Sequence, residues 1–355
     1  MITRRTASAA ETELALDAQC IGILCNPTAG SGRARIHELT RQAFECLGPQ
    51  VTRVLVAPGD MGEVVCRGTN VEVVGQNQTR SRQDTIATVQ QMVRQGAELL
   101  VIAAGDGTYN DALEGMQTIG RVVPIYGIAA GRFNTIYPKR KHDPFVSLRG
   151  DFRPFRLEDV IVEDVMGVRT SINGKVVSYA FFWAVICNLV AYTDAGGKFM
   201  TVDAAAYLSG QIVPLTAAPP VATEETRIRL VSQRLGEIEV GRGPRMSMPM
   251  VVQVTDEINQ MSAAGFGGWA NFMGYQGIVY YYTNPQITFL PSCEFFPVET
   301  RAVAFYAGDH VHLTGLNEGS VFQADSTAIA VVGPQDVLTA EVVMDLGQKA
   351  VLRSR

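Results

Sequence analysis

The feature that most constrains the fold is the apolar stretch Glu98–Ala104, which runs directly into Gly105-Asp106-Gly107-Thr108. A strand without polar alternation suits the interior of a parallel sheet that is covered by helices on both faces. Similar apolar runs at Cys20–Asn26, Val51–Ala57 and Val122–Ala129 alternate with amphipathic stretches. This alternation is typical of βαβ units, so the sequence predicts an N-terminal α/β domain with a Rossmann-like parallel sheet.

Helices are predicted between these strands from apolar residues at helical spacing. The predicted helices run from Arg33 to about Leu47, over Asp84–Gln95 and over Asn110–Met116. Asp60 is predicted to cap a further short helix that extends through Val65, because aspartate is a favoured residue at a helix N-terminus.

The character of the sequence changes near Pro144–Pro154. Beyond that point short strands and turn signals follow one another, including an Asn173-Gly174 hairpin turn. We therefore predict a flexible tail at residues 1–18, an α/β domain at 19–148 and a β-rich sandwich domain at 149–355, with the site in the cleft between the two domains. Besides one helix at Thr201–Gln211, the predicted elements are strands at Val160–Ile172, Val176–Ile186, Arg227–Val231, Val251–Thr255, Ile278–Thr283, Ala302–Phe305, Val311–Leu313, Val321–Ala324 and Ala328–Val332.

Composition excludes several classes of function. The 355-residue chain has a formal net charge of -5, which argues against a general nucleic-acid binder. Its longest apolar stretches are far shorter than the ~20 residues that span a bilayer, so no stable membrane anchor is predicted. His310 and His312 lie on one face of a predicted strand without a third ligand in view, and no metal site is predicted on protein ligands. We expect a cytoplasmic protein that acts on small molecules.

The strongest chemical signal is Gly105-Asp106-Gly107-Thr108, between a buried strand and a helix. Two glycines let the backbone curl so that successive N–H groups point at an anion, next to a helix N-terminus. Asp106 would repel phosphate, so it is expected to hold Mg²⁺ or to accept a proton from an attacking hydroxyl. A tight strand-to-helix turn without any ligand accounts for the same residues.

Two further loops follow predicted strands. Asn26-Pro27-Thr28-Ala29-Gly30-Ser31-Gly32 follows the first strand, and Gly131-Arg132-Phe133-Asn134-Thr135 follows the strand at Val122–Ala129. Loops on neighbouring strands of an open sheet face each other across a crevice, where such sheets bind ligands. Lys139, Arg140 and Lys141 form a basic run just beyond the second of these loops, which suits either contact with phosphate or a solvated surface.

Together the three loops resemble the superfamily that unites NAD kinases and diacylglycerol-type lipid kinases. Gly105-Asp106-Gly107-Thr108 matches the G-G-D-G-T motif of that superfamily, with Ala104 in place of its first glycine. Pro58-Gly59-Asp60-Met61-Gly62-Glu63 and Ser81-Arg82-Gln83-Asp84-Thr85 resemble the ATP–NAD kinase branch, which includes acetoin-catabolism X proteins. Asn26–Gly32, Asn110-Asp111 and Gly131-x-x-Asn134 are instead similar to lipid kinases.

Two departures from the lipid-kinase pattern bear on activity. Thr135 stands where lipid kinases carry an acidic residue. Asp325-Ser326-Thr327 keeps only the aspartate of their D-G-E signature, and Asp325 would also match the aspartate of a D-G pair in NAD kinases.

The resemblance implies a two-domain NAD kinase-like architecture with ATP bound between the domains, and often a homo-oligomer. It implies ATP, Mg²⁺ and NAD as ligands, with phosphoryl transfer to the 2′-hydroxyl of NAD to give NADP. A lipid kinase and a nucleotide sensor without catalysis are the alternatives. Asp106 and Asp325 are the catalytic candidates, and the nucleotide-binding candidates are Asn26, Pro27, Gly30, Ser31, Gly32, Gly105, Gly107, Thr108, Asn110, Asp111, Gly131, Arg132 and Asn134.

Overall fold

The computed structural model describes residues 17–76, 81–131, 156–193, 199–215, 219–244, 248–254, 273, 275–282, 300–325 and 327–352. The α-helices within these ranges are α1 (Arg33–Glu45), α2 (Arg82–Arg94), α3 (Asp106–Thr118) and α4 (Ala204–Leu208). The strands are β1 (Cys20–Cys25), β2 (Arg53–Val56), β3 (Val71–Val73), β4 (Leu99–Ala104), β5 (Ile125–Ala129), β6 (Val160–Ile172), β7 (Lys175–Ala180), β8 (Trp183–Ile186), β9 (Leu189–Thr193), β10 (Phe199–Asp203), β11 (Ala222–Ser232), β12 (Gly236–Arg242), β13 (Met248–Val254), β14 (Gly277–Tyr282), β15 (Thr300–Phe305), β16 (His310–Leu316), β17 (Ser320–Ala324), β18 (Thr327–Val332) and β19 (Leu338–Leu352).

The N-terminal strands form the predicted parallel sheet, in the order β3-β2-β1-β4-β5. One face of this sheet is covered by α1 through Ile36 and Leu39. The other face is covered by α2 and α3 through Val89, Met92 and Leu113. Every residue of β4 is buried, which explains why its sequence is apolar throughout rather than alternating.

The C-terminal half is a β-sandwich, as predicted. One layer is antiparallel and consists of β6, β7, β11, β12, β16 and β19. The other layer has the order β15-β14-β13-β8-β17-β18. Side chains such as Ile228 and Leu313 from the first layer and Val252, Val279 and Phe322 from the second form one buried core between them. The two-domain α/β plus β-sandwich fold is therefore confirmed.

The long strand β19 was not predicted, and it connects the two parts of the chain. It pairs antiparallel with β6 and β16, and it pairs parallel with β5 through Lys349 and Ala350. The parallel sheet and the first sandwich layer are therefore a single 11-stranded sheet. The charge of Asp345 and the glycine at 347 interrupt the apolar pattern of this segment. The pairing register shifts at the same place, between Val343 and Gly347. Because of this interruption the sequence does not indicate one continuous strand.

Three predicted elements were wrong in detail. The predicted strand Val176–Ile186 is two strands, β7 and β8, that belong to different layers. The predicted helix Thr201–Gln211 is the end of β10 followed by α4, because the Asp203 side chain accepts a hydrogen bond from the backbone N–H of Ala206 and starts the helix there. Asp60 caps no helix: it lies inside a short 3-10 turn, Gly59–Met61, that follows Pro58.

Candidate functional site

The three predicted loops meet at one edge of the parallel sheet. They follow β1, β4 and β5, which are adjacent strands. The backbone N–H of Ser31 donates to the carbonyl of Ala130 over 2.9 Å, and the N–H of Gly131 donates to the carbonyl of Ala104 over 3.1 Å. The predicted convergence of the loops is thus confirmed, and it lies at the carboxyl ends of the strands, where open α/β sheets bind ligands.

Asn26 connects the first loop to α3. Its side-chain Nδ2 donates to Thr108 Oγ1 over 3.0 Å, while its Oδ1 accepts from the backbone N–H and the hydroxyl of Thr28. The rest of this loop, which includes Pro27, Gly30 and Ser31, leads into Gly32, whose φ of +80° favours glycine. The amide of Asn26 therefore holds the first and second loops in a fixed relation.

The Gly-Asp-Gly-Thr motif is not a separate loop ahead of a helix, as the sequence suggested. Gly105 is the N-cap, and Asp106, Gly107 and Thr108 form the first turn of α3 itself. The helix thus begins at Asp106 rather than at Asn110, with Gly105 extended as its cap and Gly107 inside its first turn, although glycine is a weak helix former. The first turn of a helix points its N–H groups outward, so this helix start provides the anion-binding geometry that was expected of a loop.

The turn between β17 and β18 packs against this first turn of α3. A Cβ atom added to Gly107 would lie 2.5 Å from Thr327 Oγ1. Similarly, a Cβ atom on Gly105 would lie 3.0 Å from the Cα atom of Gly131. Both glycines of the motif are therefore closely approached by neighbours, Gly105 by the turn after β5 and Gly107 by the C-terminal sandwich.

Asp325 precedes Thr327 in that turn, and its carboxylate binds backbone groups. Oδ2 accepts from the N–H of Phe181 over 2.8 Å, and Oδ1 accepts from the N–H groups of Phe182 and Trp183 over 3.0 and 2.7 Å. These residues form the crossing between β7 and β8, so the carboxylate replaces the ladder partners that a continuous strand would have had. Burial raises the pKa of Asp325 to about 7 despite the hydrogen bond from Trp183, and the charge of Asp106 raises it further.

Asn110 and Asp111 follow each other on α3 but point to different neighbours. Asn110 is buried, and its Nδ2 lies 3.5 Å from the carbonyl of Ala324, at the same turn. Its Oδ1 has no hydrogen-bond partner among the described residues. Asp111 faces α2 instead, where its carboxylate lies 3.0 Å from Arg82 Nε, and burial raises the pKa of Asp111 to about 7.

Sequence reasoning missed Tyr109, which is fully buried beneath the site. Its hydroxyl oxygen lies 3.2 Å from the backbone nitrogen of Ala104, and 2.9 and 3.1 Å from the carbonyls of Ile102 and Ile128. A tyrosine within an otherwise small and polar stretch was the available signal, since a buried tyrosine hydroxyl needs partners.

Some predicted site residues cannot be placed. Arg132, Asn134 and the basic run Lys139–Lys141 lie outside the described residues. Within the described ranges, histidine, cysteine and carboxylate side chains form no group of three or more that could hold a metal ion. In the same ranges no helix is long and apolar enough to cross a membrane.

Known proteins share this fold. Residues 21–137 match the family model of the ATP-NAD kinase N-terminal domain. Yeast NADH kinase in complex with NADH has 10% sequence identity to the chain and a TM-score of 0.51, and the match covers 96% of this chain and 84% of that one. A Bacillus anthracis str. Sterne protein that is named as a diacylglycerol kinase has 12% identity and a TM-score of 0.54, with 96% and 98% covered.

These solved structures show the fold alone, because their identities to the chain are low. No curated protein sequence matches the chain significantly. The family model, however, covers all three strand-end turns as far as Gly131, and the resemblance noted in the sequence points the same way. The N-terminal part of the chain, residues 21–137, is thus similar to the N-terminal domain of ATP-NAD kinases.

Proposed function

We propose that the protein is an ATP-dependent kinase that transfers a phosphoryl group to the adenosine 2′-hydroxyl of NAD, giving NADP. The observation that carries this proposal is the meeting of Asn26, Asp106 and Thr108 at the carboxyl ends of β1 and β4, under the turn that holds Asp325. Backbone N–H groups at a helix start and a buried carboxylate beside them suit a reaction that depends on positioning and electrostatics.

In this proposal the triphosphate lies against the first turn of α3 and the Asn26–Gly32 turn. The helix start favours negative charge through its N–H groups and its dipole. The acceptor oxygen attacks the γ-phosphorus, the bond to the β–γ bridging oxygen breaks, and ADP leaves. Asp106 positions the acceptor hydroxyl and takes its proton.

In this proposal Asp325 does not act on the substrate; it stabilises the crossing between β7 and β8 beside the site. Both of its carboxylate oxygens already accept backbone hydrogen bonds, which leaves it poorly suited to bind a metal or to take a proton from the acceptor. Its predicted catalytic role is therefore not part of this proposal.

The site suits Mg²⁺ that is bound largely through the nucleotide. Magnesium commonly takes one or two protein carboxylates, with phosphate oxygens and waters completing its shell. Asp106 is the residue that would supply such a carboxylate. When bound, Mg²⁺ neutralises the charge that develops on the phosphates.

The Pro58–Glu63 motif supports NAD as the acceptor. This support is the likeness of the motif to the ATP–NAD kinase branch. In the structure both carboxylate oxygens of Asp60 lie 2.5 Å from a guanidinium nitrogen of Arg33. The carbonyl of Asp60 also accepts from Cys25 Sγ and lies 3.0 Å from His37 Nε2. The motif thus holds the start of α1 behind the Asn26–Gly32 turn.

A lipid kinase is the second candidate. Asn110-Asp111 is similar to lipid kinases, and the buried Asn110 lies against the carbonyl of Ala324 at the turn of the C-terminal sandwich. Asn110 thus lies on the boundary between the α/β part and the β-sandwich, where it could contact either NAD or a lipid acceptor.

The test is transfer of radiolabel from the γ-phosphate of ATP with Mg²⁺ to NAD, to NADH, to diacylglycerol micelles or to no acceptor. We expect label in NADP, and a roughly 100-fold or greater loss of rate in Asp106→Asn, the usual range for removal of a general base. Asp345→Asn, at an exposed position on β19, is the matched control and should keep the wild-type rate.

Other outcomes would contradict the proposal in different ways. Label in the lipid would establish the second candidate instead. Absence of transfer to any acceptor, with ATP binding measured by calorimetry, would identify a nucleotide-binding protein without catalysis.

A further inference from the structure

The hydroxyl of Tyr109 is surrounded by backbone groups from two strands. It lies within 3.3 Å of the nitrogen and the carbonyl oxygen of Ala104, and within 3.1 Å of the carbonyls of Ile102 and Ile128. A phenol has one proton to donate and can accept at its oxygen. Tyr109 can therefore accept from Ala104 and share its single proton among carbonyls of β4 and β5.

These contacts lie at the point where both strands end and the site begins. The Ala104 carbonyl accepts from the N–H groups of Ala130 and Gly131 over 2.8 and 3.1 Å. The next residue, Gly105, caps α3 and approaches the Cα atom of Gly131 closely. The Tyr109 hydroxyl thus contacts the ends of both strands from which these turns depart, at Ile102 and Ala104 of β4 and at Ile128 of β5.

The position of this hydroxyl is itself fixed. Tyr109 is held in α3, and its side chain is fully buried beneath the parallel sheet's edge, in the core that α3 forms with β4. Burial raises the pKa of Tyr109 well above its ordinary value, so the hydroxyl keeps its proton over the whole working pH range.

We infer that Tyr109 is a positioning residue for phosphoryl transfer, which fixes the separation between the Gly105 and Gly131 turns by binding the ends of β4 and β5. This inference rests on the proposed function, in which those turns border the triphosphate. A displacement of about 1 Å at a reacting group can reduce the rate by roughly 100-fold, so the spacing of these turns matters for the reaction as well as for stability.

The test compares Tyr109→Phe with Tyr280→Phe. Tyr280 is also buried, and its hydroxyl donates to Gln253 Oε1 over 3.2 Å within the second layer of the C-terminal sandwich. Both variants lose a buried hydroxyl, so both should unfold at a lower temperature than wild type. Only Tyr109→Phe should weaken ATP binding, by roughly 10-fold in calorimetry, and raise the KM for ATP.

Hydrogen exchange provides a readout that needs no activity. In Tyr109→Phe the amides of Ala104, Ala130 and Gly131 should exchange at least 10-fold faster than in wild type, and in Tyr280→Phe they should not change. Equal ATP affinity and unchanged exchange at these amides in Tyr109→Phe would overturn the inference.

Two further results separate the inference from the proposed function. If the wild type bound no ATP, the proposed function would fail, while faster exchange in Tyr109→Phe would still establish the positioning of the turns. If Tyr109→Phe did not fold, amide exchange in the wild-type protein would be the test. The inference requires the amides of Ala104, Ala130 and Gly131 to exchange as slowly as those of central β4. Exchange at the rates of loop amides would refute it.

Discussion

Gly107→Ala is expected to reduce phosphoryl transfer by roughly 100-fold, the scale of effect that a displacement of about 1 Å can have. The added Cβ atom would lie 2.5 Å from Thr327 Oγ1, so the Thr327 side chain, the turn of the C-terminal sandwich or the start of α3 must move. Alanine favours a helix over glycine by about 1 kcal/mol. The expected loss therefore comes from the collision with Thr327 and not from a weaker helix.

A second substitution should reverse that loss. Thr327→Ala removes the colliding oxygen, so Gly107→Ala with Thr327→Ala should recover to within a few-fold of Thr327→Ala alone. Thr327→Ser keeps the Oγ atom, and Thr327→Val keeps a group of the same size, so neither should rescue. Wild type, Gly107→Ala, Thr327→Ala and the double variant form a double-mutant cycle. The rate of phosphoryl transfer and the melting temperature are measured for each of the four. If Thr327→Ala failed to rescue, Gly107 would be required for the approach of the phosphate rather than for contact with Thr327.

Asp325→Ala is expected to destabilise the fold by several kcal/mol, or to prevent folding. It leaves the N–H groups of Phe181, Phe182 and Trp183 without their acceptor, and each unsatisfied buried group costs about 1–3 kcal/mol. Asp325→Asn is the milder variant, since its remaining oxygen can still accept from two of these groups while its NH₂ meets the third. Asp309→Asn is the matched control, because Asp309 is also buried and accepts from the N–H groups of Gln233 and Tyr306.

The pH dependence of stability separates the charge of Asp325 from its hydrogen bonds. Its pKa is raised from 3.8 to about 7 in the folded state, so between pH 4 and pH 7 the folded protein holds a proton that the unfolded chain has lost. The contribution of Asp325 to the free energy of unfolding is therefore fully present below about pH 4 and is lost as the pH rises through about 7. The loss amounts to up to about 4 kcal/mol.

Urea unfolding at pH 5 and pH 8 measures this effect. The stability of wild type relative to Asp325→Asn should fall between the two pH values, because only wild type retains the titrating carboxyl at this position. Asp111 titrates in both proteins, so its effect on stability is the same in both and does not change the difference between them. A constant difference between the two proteins at both pH values would show that Asp325 is ionised throughout, and the role of burial would be overturned.

The sequence predicted best those features that depend on neighbouring residues. Fully buried strands such as β4 are apolar at each position, and the turns after β1, β4 and β5 had to meet once those strands were adjacent. The start of α3 was misplaced because glycines at 105 and 107 indicate a turn when no neighbour is known. In the structure Gly131 and Thr327 explain both glycines.

Features that depend on distant residues could not be predicted. The apolar run at 176–186 has no signal for a break, since the break is created by Asp325, more than 140 residues later in the chain. Tyr109 similarly has no local partner pattern, because its acceptors come from two strands. The burial and the partners of residues such as Asp325 and Tyr109 can be assigned only when the topology is known.

The shared strand β19 has a consequence for how this protein folds. Residues 349–350 pair with β5, so the first five strands alone would leave the edge of the sheet at β5 open until β19 pairs with it. An open edge invites pairing with other chains, and contacts between such distant segments form slowly. Mispairing at the β5 edge is therefore expected in folding intermediates that lack β19.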